Sequence, residues 1–114
     1  MKRMILALAL TALCGPAAAH AFLEKAVPSA GAGLHVAPAK IELRFSEALE
    51  PAFSGVTVVN AANADMSAGP SVANGMHLSL PLKALKPGRY SVRWHAVSVD
   101  THRSDGGYAF TVLP

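Results

Sequence analysis

Among the 114 residues stands one cysteine, Cys14, and it lies in a segment expected to be removed. Without it the mature chain has no thiol. No disulfide then braces the fold, and any metal chemistry must use nitrogen, oxygen or thioether donors. Thioethers are scarce as well: outside the leader only Met66 and Met76 remain, Met66 isolated in a polar loop and Met76 alternating with Leu78 and Leu80 as a core residue. That is too few for a soft ion such as Cu(I). Charge of one sign is also missing. Of ten Lys and Arg, Lys2 and Arg3 leave with the leader, and the remaining eight face seven Asp and Glu, which excludes an argument for nucleic acid or a polybasic membrane contact. No internal repeat or linker divides the chain.

The N-terminus carries Lys2 and Arg3, the apolar run Met4 to Leu13, the breakers Gly15 and Pro16, and Ala17, Ala18 and Ala19. This order describes a secretory signal peptide, and the run is too short to anchor the chain in a bilayer. The bulky Leu13 directly before Cys14 argues against a lipoprotein. Residues 1–19 are expected to be removed and 20–114 to form one exported domain. Cleavage after Ala19 follows the cleaner alanine stretch and leaves His20 in front; cleavage after Ala21 would leave Phe22.

Alternation marks strands in "KIELRF", "GMHLSLPL", "GRYSVRWHAVSV" and "GYAFTVLP", and the β-branched apolar run "GVTVVN" marks another, with stretches rich in Gly, Pro, Asn and Ser between them. In "SEALEPAFSG", Pro51 and Gly55 confine any helix to a short turn. The pattern predicts an all-β domain, a single sandwich or small barrel of about seven strands.

Three places carry chemistry: His20, the loop "SVDTHRSDGG" with Asp100 and His102, and Glu47 in "RFSEALE". A free N-terminal histidine offers its α-amine and imidazole Nδ1 to one ion in a six-membered chelate. In an extended segment Asp100 and His102 would point the same way. Together with His20 they would make a planar set of three nitrogens and one oxygen, which suits Cu(II). A plainer reading competes: Asp-Thr followed by Ser-Asp-Gly-Gly reads as an ordinary turn with a solvated histidine. Spacing alone cannot bring residue 20 to residue 102. His35, His77 and His95 read as surface histidines.

The segments "HAFLEKAVPSAGAGL", "PAKIELRFSEALE" and "GRYSVRWHAVSVDTHRSDGGYAFTV" resemble the CopC family of periplasmic copper-binding proteins, in the family's order and across essentially the whole mature chain. The resemblance implies a Greek-key barrel or sandwich, cupredoxin-like or immunoglobulin-like. It also implies one Cu(II) per chain on His20, Asp100 and His102, with Glu47 orienting the amine or an axial water. A periplasmic role in copper sequestration or delivery follows from it, without enzymatic activity and with a CopD-type inner-membrane protein as partner. The chain departs from the family in three places: the loop that is methionine-rich in some members holds only Met66, His95 stands where arginine is frequent, and Arg103 where proline is frequent. The first departure counts against a Cu(I) site. The competing functions are a histidine-brace copper monooxygenase and a metal-free exported interaction domain.

Overall fold

The computed structural model describes residues 22–114; His20 and the leader lie outside the described residues. Eight strands run in chain order: β1 (Leu23–Val27), β2 (Gly33–Leu34), β3 (Lys40–Phe45), β4 (Gly55–Val59), β5 (Val72–Asn74), β6 (His77–Pro81), β7 (Gly88–Val97) and β8 (Arg103–Val112). They form two four-stranded sheets, ordered β1-β3-β6-β5 and β2-β8-β7-β4. All pairings are antiparallel except β2 on β8. The fold is the all-β sandwich expected.

Alternation builds the core. Ile41, Leu43 and Phe45 of β3 and Leu78 and Leu80 of β6 turn inward from one sheet; Val56 and Val58 of β4, Tyr90, Val92 and Ala96 of β7, and Phe110 and Val112 of β8 meet them from the other. Period-two side chains make this one continuous apolar layer between the sheets. A row of rings closes one end: Phe22 on Phe45 with centroids 5.3 Å apart, Phe45 on Trp94 at 6.5 Å and Trp94 on Tyr108 at 6.4 Å. The indole of Trp94 lies over Gly106, where a Cβ would run into its six-membered ring.

Two expectations are corrected. Met76 is 42% exposed and sits in the turn between β5 and β6, where Gly75 has a φ of 63°. Its carbonyl accepts a bond from the Phe45 N–H at 2.8 Å, so the site uses its backbone and the inward alternation begins at Leu78. The segment "SDGG" is part of β8 and not a turn. Three strands not marked in the sequence are also present: β1, whose alternation is broken by a bulge between Leu23 and Lys25, and β2 and β5, two and three residues long. The short helical turn expected in "SEALEPAFSG" is present, as a 3-10 turn at Pro51–Phe53.

Candidate metal centre

β7 and β8 form a hairpin paired in unbroken register from Gly88↔Val112 to Val97↔Arg103. The loop beyond is closed by Ser98 N–H donating to the His102 carbonyl at 2.8 Å and Thr101 N–H donating to the Ser98 carbonyl at 2.8 Å. Thr101 takes the left-handed conformation, φ 72°. A tight turn finished by a left-handed residue is a frequent way to join strands with three loop residues, usually with glycine in that place. Asp100 and His102 therefore converge because the chain reverses, and not through the extended alternation expected from their spacing.

A second segment arrives alongside. Val99 N–H donates to the Ala48 carbonyl at 3.0 Å, Glu50 N–H to the Val97 carbonyl at 2.8 Å, and Leu49 bridges Ser98. These bonds bring Glu47, which follows β3, to the hairpin loop. Ligating atoms of Glu47, Asp100 and His102 all lie within 4.8 Å of one another. His102 is 67% and Asp100 61% exposed, Glu47 32%, so an ion can enter from solvent.

The contacts assign the donor atoms. His102 Nδ1 lies 3.0 Å from Glu47 Oε1 and 3.2 Å from Oε2. An ionised carboxylate only accepts, so Nδ1 carries a proton, and in the neutral ring Nε2 keeps its lone pair for a metal. The Glu47 bond, its charge and that of Asp100 raise the His102 pKa above the ordinary histidine range. On Asp100, Oδ1 accepts the Ser98 hydroxyl proton at 2.6 Å, and this bond chiefly holds its carboxyl below the usual range. Oδ1 is 3.7 Å from His102 Nδ1, beyond hydrogen-bond length. A neutral imidazole nitrogen and a carboxylate oxygen, on side chains that are mostly exposed, fit a borderline divalent cation such as Cu(II).

Of the residues singled out in the sequence, the structure unites Glu47, Asp100 and His102. Glu47 contacts the imidazole, whereas an amine or an axial water was its expected partner. His35, His77 and His95 are exposed and outside the cluster. Ser98, fully buried, was not singled out; its one signal is a hydroxyl two positions before the aspartate.

Residues 23–113 match the CopC domain family. The chain is 41% identical to Protein YobA of Escherichia coli (strain K12), covering 96% of this chain and 93% of that one. It is 38% identical to Copper resistance protein C of Escherichia coli, over 84% of this chain and 83% of the relative. Among solved structures, CopC from Methylosinus trichosporium OB3b superposes with a TM-score of 0.74 at 30% identity, covering 82% of this chain and 93% of that one. PcoC, a methionine-rich copper resistance protein from Escherichia coli, gives 0.67 at 36% identity over 79% and 95%. With the sandwich and the hairpin cluster described, the chain belongs to the CopC family.

Proposed function

We propose that this chain is an exported, periplasmic Cu(II)-binding protein that sequesters or delivers copper, holding one ion per chain on the amine and imidazole of His20, a carboxylate oxygen of Asp100 and Nε2 of His102. The observation that carries this reading is the solvent-facing cluster of Glu47, Asp100 and His102, whose hydrogen bonds leave one nitrogen and one oxygen free. Connectivity supports the fourth residue: the Phe22 carbonyl accepts the Ser46 N–H at 2.8 Å, beside Glu47, and two residues of chain span about 7 Å at most. Cleavage after Ala19 would place the amine and imidazole of His20 two residues from this anchored point.

Glu47 then acts by holding the His102 ring. With amine, two imidazoles and carboxylate around the ion, no equatorial position is left for oxygen or substrate, which favours a carrier over an oxygenase. Reduction favours release, because the thioethers among the described residues are Met66, packed against the core, and Met76, too few to hold Cu(I). A CopD-type membrane protein is the partner proposed, on the family resemblance alone.

Native mass spectrometry of the protein exported with its own leader tests the reading. A mass beginning at His20 with one Cu(II) is expected, and His20→Ala or Asp100→Ala abolishes tight retention. A mass beginning at Phe22, or a His20 form that stays metal-free, overturns it.

A further inference from the structure

We propose that Ser98 is the positioning residue that determines which atoms of the hairpin face the metal, an inference that rests on the Cu(II) reading above. Ser98 is fully buried, and each of its polar groups is committed to the loop. Its hydroxyl donates to Asp100 Oδ1 at 2.6 Å and accepts the His102 N–H at 3.0 Å. Its backbone N–H donates to the His102 carbonyl, and its carbonyl accepts the Thr101 N–H, both at 2.8 Å. The bridge to Leu49 ties it to the segment that delivers Glu47.

A hydroxyl has one proton and two lone pairs, so one atom can serve both candidate ligands at once. The proton occupies Oδ1, leaving Oδ2 of Asp100 as the carboxylate oxygen that Ser98 does not engage. The lone pair fixes the backbone of His102, while Glu47 fixes its ring. An arriving ion therefore meets an oxygen and a nitrogen whose orientations are already set. Cu(II) demands a tetragonal donor set whereas Zn(II) has no d-electron preference of its own, so loosening the pair is expected to cost Cu(II) more than Zn(II). Ser98 thus contributes to discrimination between the two ions as well as to affinity.

The test uses the mature protein beginning at His20, with Cu(II) and Zn(II) as probes, and compares wild type, Ser98→Ala, Ser98→Thr, Asp100→Ala and His20→Ala. Groups that hold a metal ligand in place are worth roughly tenfold to a hundredfold in affinity. Ser98→Ala is expected to lower Cu(II) affinity by about tenfold or more on that scale, to narrow the preference over Zn(II), and to shift the Cu(II) electron paramagnetic resonance spectrum. Ser98→Thr, which keeps the hydroxyl, restores all three. In the metal-free wild type, the His102 amide is expected to exchange slowly with solvent. A folded Ser98→Ala with wild-type affinity and spectrum, beside an Asp100→Ala that has lost copper, overturns the role of Ser98 and leaves the Cu(II) reading standing. Wild-type affinity in Asp100→Ala and His20→Ala removes the Cu(II) reading and the inference with it. Should Ser98→Ala fail to fold, fast exchange of the wild-type His102 amide overturns the proposal.

Discussion

His102 is governed by Glu47. The carboxylate accepts from Nδ1 at 3.0 Å and favours the protonated ring, so the same contact that orients the imidazole for a metal also strengthens proton competition for it. In Glu47→Gln the His102 pKa is expected to fall toward the ordinary histidine range, read as the pH dependence of its ring proton resonances by NMR. A midpoint unmoved by the substitution would mean that the contact is not kept in solution. Tyr108 shows the opposite case. Its hydroxyl is buried with no hydrogen-bond partner among the described residues, and burial pushes its pKa up to about 12. An unpaired buried hydroxyl costs about 1–3 kcal/mol, so Tyr108→Phe is expected to match or raise the melting temperature. A fall of several degrees would show that the hydroxyl is paired.

The β7–β8 hairpin is the element that makes the site. Its loop depends on Thr101 at φ 72°, a conformation that costs a β-branched residue roughly 1–2 kcal/mol relative to glycine. Thr101→Gly is expected to stabilise the metal-free fold by about 1 kcal/mol or less, since glycine also gains freedom in the unfolded chain. Denaturant unfolding measures it, and destabilisation would count against the left-handed assignment. At this scale the strands that bury one face were legible in the sequence, because period-two alternation is a local property. β3, β6 and β7 read correctly on that ground. Met76 misled because it continues the alternation of Leu78 and Leu80 across a turn whose left-handed Gly75 interrupts it. β1 was obscure because a bulge between Leu23 and Lys25 breaks its period, and β2 and β5 because two or three residues are too few to show one.

In the whole molecule, proton and metal act on the same loop with opposite signs. The raised pKa of His102 means that its pairing with Glu47 stabilises the metal-free fold fully below the unfolded histidine pKa, and that this contribution is lost as pH rises through the folded value. The lowered pKa of Asp100 contributes above the ordinary carboxylate range and is lost as pH falls through its depressed value. Copper requires a neutral His102, so its stabilisation grows as pH rises. The difference in melting temperature between Cu(II)-loaded and metal-free protein is therefore expected to widen from about pH 5 to about pH 8. A difference that narrows over that range would contradict Nε2 of His102 as a donor.

The order of residues was enough to read an all-β domain, the scarcity of soft donors and a D-x-H pair, because propensity, alternation and donor chemistry belong to residues and their near neighbours. It was not enough to bring Glu47 to His102, 55 positions apart, or to show that Asp100 and His102 meet through a reversed turn. Those contacts depend on two strands and a crossing segment packing side by side. They arise only when burial of the shared core aligns backbone groups that the chain itself holds far apart.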